Sequence, residues 1–173
     1  LVKHILARLR DWKTGDPLDP ENHLGALIDT DHCKKVASYL KSPQGTVLAG
    51  GTVEGNFVAP TVIDDVSSKD KLAKEEIFGP VLSILTVASM DEALEIANDS
   101  QYGLAASIFT SNGKKALRAA KAIKAGTVTI NCYGEGNIAT PFGGYKQSGF
   151  GGRDNGIHAH DQFTEVKTIW IDL

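Results

Sequence analysis

The 173 residues carry 42% apolar and 23% charged side chains, ordinary globular usage that excludes a disordered chain. Eighteen basic against twenty-one acidic residues leave a net charge of −3, with no Lys/Arg stripe dense enough to mark nucleic-acid binding. Apolar runs fall far short of the ~20 residues that span a membrane, no signal-peptide pattern opens the chain, and two cysteines without a CxxC pair point to a reducing cytosol.

The length is that of one domain, able to bury about two-thirds of the surface an unfolded chain exposes. The chain starts without Met, inside a helical pattern, as a fragment begins: Leu1, Val2, Ile5, Leu6, Leu9 and Trp12 recur at helical spacing. TGDPLDPENHLG then reads as a loop. A second helix is predicted from Thr30 to about Leu40, capped by Asp29 or Thr30, with Val36, Tyr39 and Leu40 inward. Thr46 to Val66 is strand-like, and Pro60 predicts an edge strand or an irregular stretch there. LAKEEIFGP reads as a turn or short helix.

From Val81 the pattern is β-α-β-α-β with short connections, which predicts a parallel sheet. The strands are VLSILTV, AASIFT and TVTIN. The first helix opens on a capping box, Ser89 to Glu92. The second is capped by Ser111 or Asn112, carries Ala116, Leu117, Ala120 and Ile123, and has Gly126 as its C-cap. TEVKTIWIDL closes the chain as an alternating strand.

Ligands of open α/β sheets bind beyond the carboxyl ends of the strands, and the longest irregular segment there is Cys132 to Arg153, with seven glycines. It reads as a functional loop rather than a mere connection, but neither a GxxxxGK[ST] loop nor a strand-linked GxGxxG is present. Cys132 as a nucleophile would need an imidazole such as His158 or His160, and a half-buried structural thiol is the plainer reading. Cys33 sits beside Lys34 and Lys35 and reads as an inert helical surface thiol. No metal is expected: the five histidines form no HExxH or HxxEH set. Glu75 and Glu76 before Phe78 suit either a solvated helix start or a carboxylate accepting two ribose hydroxyls beside a flat ring. The residue types alone permit both.

KEEIFGPV (Lys74–Val81), NDSQYGLAASIFT (Asn98–Thr110), KAGTVTIN (Lys124–Asn131) and PFGGYKQSGFG (Pro141–Gly151) resemble, in order, the aldehyde dehydrogenase superfamily. The resemblance runs from GDPLDP to FTEVKTIW, and the chain looks like the C-terminal third of the NAD(P)-dependent enzymes. The nearest look is to gamma-glutamyl-gamma-aminobutyraldehyde dehydrogenases and other omega-amino aldehyde oxidisers. The resemblance implies an α/β fold: residues 1–160 as a partial catalytic domain with a parallel β-α-β-α-β sheet core, and 161–173 as an oligomerisation strand.

It also implies oxidation of an aldehyde to an acid through a Cys thiohemiacetal and thioester, with NAD or NADP as cofactor. By the same resemblance Glu76 meets the nicotinamide ribose, Phe78 packs near the nicotinamide, and Lys35 reaches the ribose. His32 stands where relatives often carry Gln. Phe142 matches a wall of the aldehyde tunnel. Gly136 replaces a common aromatic and implies a roomier pocket, and Glu135 can attract an aminated substrate. SGFGGRD holds one more glycine than the usual SGxGRD. No catalytic residue is expected in this chain, because the nucleophilic Cys, the general-base Glu and the oxyanion Asn match positions upstream of Leu1.

The implied partners are an aldehyde, the N-terminal part of the same enzyme and a second copy through the C-terminal strand. Neither nucleic acid nor a membrane is expected. The chain alone is expected to be inactive. A non-catalytic assembly or binding module reusing the fold is the alternative, and a Cys132 hydrolase the third reading.

Overall fold

Local signals set most of the helices. The computed structural model describes residues 1–134 and 136–173 and divides into two units, Leu1–Thr86 and Val87–Leu173. In the first unit α1 spans Val2–Leu9, shorter than the apolar pattern to Trp12, whose ring instead stacks on His23 with centroids 5.8 Å apart. α2 covers Thr30–Leu40 as expected, and Asp29 is its cap, its carboxylate accepting from the His32 amide at 2.7 Å.

The strand-like stretch resolves into β1 (Thr46–Ala49), a tight hairpin of β2 (Val53–Glu54) and β3 (Phe57–Val58), and β4 (Thr61–Asp64). Gly55, at φ +59, allows the hairpin its two-residue turn. α3 (Lys71–Lys74) is a single turn capped by Asp70, and β5 takes only Val81–Ser83 of the seven-residue apolar run.

β4 is not an edge strand: it lies between β1, antiparallel, and β5, parallel. Pro60 precedes it and so removes no ladder donor; the first bond runs from the Thr61 amide to the Pro80 carbonyl at 2.8 Å. Thr61, Val62 and Ile63 are all buried, as a central strand requires. Around Ile63 the core gathers Val36 and Tyr39 of α2 with Val58, Val66, Leu72 and Ile77.

The second unit carries α4 (Met90–Asn98), β6 (Ala105–Ile108), α5 (Gly113–Ala122) and β7 (Thr127–Ile130). β6 and β7 pair in parallel, in register from Ala105↔Thr127 to Ile108↔Ile130. The β-α-β-α-β order is therefore present, but β5 bonds to β4 and not to β6, so the expected continuous three-strand ladder is two parallel pairs. The capping box forms: the Glu92 amide donates to Ser89 Oγ at 3.1 Å, and the Glu92 carboxylate accepts from the Ala88 amide at 2.8 Å.

α5 is capped by Asn112 and buries Ala116 and Ala119, while Leu117 is exposed. Gly126 is not a C-cap either; α5 ends at Ile123, and the glycine is needed because the Gly143 carbonyl packs where its Cβ would be. The expected C-terminal strand is unpaired within the chain. Residues 164–173 make no ladder, and Val166, Ile169, Trp170 and Ile171 are exposed. No helix among the described residues is long and apolar enough to cross a membrane.

Candidate functional site

In the first unit one face of α2 meets the turn that joins α3 to β5. Glu75 is the residue that ends α3, so the Glu75–Glu76 pair stands at a helix C-terminus and not at a helix start. That end of a helix disfavours negative charge, and the carboxylates need other partners. The Lys35 ammonium donates to the Glu76 carbonyl at 3.3 Å, while the side chain of Glu76 is left exposed.

The flanking residues are anchored. Ile77 is buried in the core, and Gly79 lies so close to α2 that a Cβ would come within 2.9 Å of Val36 Cγ2. Between them Phe78 holds φ +59, the left-handed region that sterics deny to bulky residues, with its ring 66% exposed. Backbone strain of this kind persists only where the surrounding structure over-determines it.

His32 lies one helical turn before Lys35, and its Nε2 is buried with no hydrogen-bond partner among the described residues. An unsatisfied buried nitrogen costs about 1–3 kcal/mol, which a polar ligand group can relieve. The exposed carboxylate and ring, the ammonium and the orphaned imidazole nitrogen fit a polyhydroxylated ligand with a flat heterocycle. Glu76 and Phe78 thus share one turn, which Lys35 reaches from α2, one helical turn beyond His32.

In the second unit the glycine loop leaves the carboxyl ends of β6 and β7. Asn131, at φ +55, clamps those ends: its amide oxygen accepts from the Thr110 amide at 2.8 Å and its Nδ2 donates to the Thr110 carbonyl at 3.0 Å. Gly136 holds φ +89, and a Cβ there would meet Thr140 Oγ1 at 3.0 Å, so the glycine answers a backbone need. Phe142 is half-buried and exchanges both backbone bonds with Asp154 at 2.7 Å. The extra glycine is accommodated by Gly151 at φ +129 and by Gly152 packing on the Gln162 side chain. Glu135 lies outside the described residues.

The two cysteines exchange the expected environments. Cys33 is buried, whereas Cys132 is exposed at the start of the loop. His158 faces Asp161 at 3.7 Å within a 3-10 turn. Among the described residues no group of three or more His, Cys, Asp or Glu can hold a metal ion.

Three further contacts escape the motif reading. They are the Asn131 clamp, the Lys146 ammonium on the Asn98 and Ser100 carbonyls (2.9 and 2.8 Å), and the Tyr39 hydroxyl on the Glu75 carboxylate (2.6 Å). Each joins segments 21 to 48 residues apart, and no spacing rule marks such pairs.

Comparison with known proteins identifies the family. The model of the aldehyde dehydrogenase family matches residues 1–169. An aminoacetaldehyde dehydrogenase of Pseudomonas aeruginosa is 54% identical, over 99% of this chain and 36% of its own length. The solved indole-3-acetaldehyde dehydrogenase complexed with NAD+ superposes with a TM-score of 0.93 at 44% identity, covering 99% of this chain and 36% of that one. A gamma-glutamyl-gamma-aminobutyraldehyde dehydrogenase from Burkholderia cenocepacia gives 0.89 at 43% identity, over 96% and 35%. This chain therefore spans little more than a third of the length of these relatives. Matched from end to end, it belongs to the aldehyde dehydrogenase family.

Proposed function

We propose that this chain is the cofactor-facing and substrate-walling part of an NAD(P)-dependent aldehyde dehydrogenase, acting on an aldehyde and yielding its carboxylic acid. The observation that carries this is the turn in which Lys35 holds the Glu76 backbone, Phe78 holds a left-handed φ and the Glu76 side chain is exposed. In this reading Glu76 accepts both hydroxyls of the nicotinamide ribose, and Phe78 lies against the nicotinamide side. Lys35 and the orphaned His32 nitrogen supply further polar contacts. The bound dinucleotide supplies a hydride acceptor; these residues hold it in position and exclude water from one side.

Phe142 and Gly136 line the aldehyde side in the same reading, in which Glu135, outside the described residues, is the acidic group offered to an aminated substrate. The name of the Pseudomonas aeruginosa relative supports an amino aldehyde as substrate, and a glutamate suits its cationic group. The nucleophilic cysteine and general base belong to upstream chain, and the apolar cleft of about 530 Å³ between α1 and β5 is a surface such chain can cover. Exposed Val166, Ile169 and Trp170 support strand addition to a second copy. Free Cys33 and Cys132 support a reducing, cytoplasmic compartment.

The purified 173-residue chain is expected to form no NADH from NAD+ and any aldehyde, because the nucleophile and general base are read as lying in the missing part. Turnover above a blank overturns the assignment of the reactive centre to the missing part.

A further inference from the structure

We propose that Tyr39 is a positioning residue for the cofactor: its hydroxyl holds the Glu75 carboxylate and thereby sets the backbone of the Glu75–Gly79 turn. This rests on the reading of Glu76 and Phe78 given above. The Tyr39 ring is buried in the core on α2, and its hydroxyl donates to Glu75 Oε2 at 2.6 Å, across 36 residues of sequence. The bond is short and charge-assisted, the stronger kind. Glu75 ends α3, where the helix itself gives a carboxylate no support, so the phenol supplies a donor that the helix end does not.

A second set of contacts keeps the phenol in place. The Lys71 ammonium donates to the Ser38 carbonyl at 3.0 Å and lies 4.8 Å from the Tyr39 ring centroid. α2 therefore grips the turn at three heights: Lys35 on the Glu76 carbonyl, Val36 against Gly79, and Tyr39 on Glu75. The strained φ of Phe78 falls inside the gripped stretch. Strain of that kind persists only where surrounding structure over-determines it. Releasing Glu75 frees one end of the turn and lets Phe78 relax, which moves both the ring and the Glu76 carboxylate.

The test uses a full-length dehydrogenase carrying this segment. Tyr39→Phe keeps the ring and its contact with Lys71 and removes only the hydroxyl. Backbone hydrogen exchange across Glu75–Val81 is expected to quicken about tenfold, the scale of one lost charge-assisted bond. Exchange in β4, beside the same core, stays within about twofold. The KM for the nicotinamide cofactor rises about tenfold with the aldehyde KM unchanged.

Glu75→Ala reproduces both effects, adding it to Tyr39→Phe adds nothing, and Glu75→Gln, which keeps an acceptor for the phenol, lies nearer the parent. Unchanged exchange in the turn overturns the proposal, as does exchange in β4 rising in step. The parent reading fails separately. If Glu76→Gln leaves cofactor KM and turnover untouched, the cofactor assignment is wrong. If Glu76→Gln weakens the cofactor but Tyr39→Phe does not, positioning by Tyr39 is wrong.

Discussion

Glu76→Gln in a full-length dehydrogenase carrying this segment is expected to lower kcat/KM for the nicotinamide cofactor by about tenfold to a hundredfold. The magnitude is that of weakening charge-assisted hydrogen bonds, each worth about 1.5–3 kcal/mol, to one ribose. A Gln oxygen can still accept one hydroxyl, but its NH2 group faces the second as a donor. The bidentate grip is lost. Because the Glu76 side chain is exposed and supports no core contact, the melting temperature is expected to stay within about 1 °C. Steady-state kinetics against NAD+ and a thermal melt on the same sample check both halves. Parent-like cofactor kinetics removes Glu76 from the site.

Gly126→Ala carries the largest expected effect on stability. The Gly126 amide donates to the Gly103 carbonyl at 3.0 Å, at the entry to β7. A Cβ added there would fall on the Gly143 carbonyl oxygen, with the carbonyl carbon 2.8 Å and Gly144 Cα 3.3 Å away. All three atoms are backbone, so no side-chain rotation relieves the clash. The glycine loop must move away from β7, taking with it the chain that leads to Phe142. A loss of about 3 kcal/mol or more is expected, a drop in melting temperature of about 6–12 °C for a domain of this size. Gly113→Ala is the control: nothing lies within 4 Å of its Cβ position, and it opens α5. That variant is expected to be neutral or more stable by about 0.5 kcal/mol. Equal melting temperatures for the two variants would contradict the close approach at Gly126.

What the sequence made legible is what local chemistry decides. Asp29, Ser89 and Asn112 were visible as caps because the bond each makes spans only three residues. The apolar positions Val36 and Tyr39 followed from helical spacing. The parallel pairing of β6 with β7 followed from the short crossover through α5.

What escaped depends on distant partners. Periodicity could not say that β5 would choose β4 over β6, since a short apolar run looks alike in either ladder. It exchanged the surroundings of Cys33 and Cys132, because small apolar residues betray little of their burial. It did not single out Ala119, whose small side chain lines the buried face of α5 with Ala116. The C-terminal run has strand composition but no partner in this chain, and composition alone makes no ladder.

The candidate site divides in the same way. Glu76, Phe78 and Lys35 were named through motif resemblance, and the structure shows what surrounds them: a helix C-terminus, a left-handed phenylalanine and an ammonium on a carbonyl. Tyr39 and Asn131 needed coordinates. Their partners, Glu75 and Thr110, lie 36 and 21 residues away.

The most direct test of the central claim is an exchange of segments. This chain replaces the matching 36% of the Pseudomonas aeruginosa aminoacetaldehyde dehydrogenase, and NADH formation is followed with amino and simple aliphatic aldehydes. A folded chimaera that oxidises an aldehyde with NAD+ or NADP+, and loses at least about tenfold in cofactor kcat/KM on Glu76→Gln, is the predicted result. A chimaera that folds but turns over no aldehyde with either cofactor would contradict it.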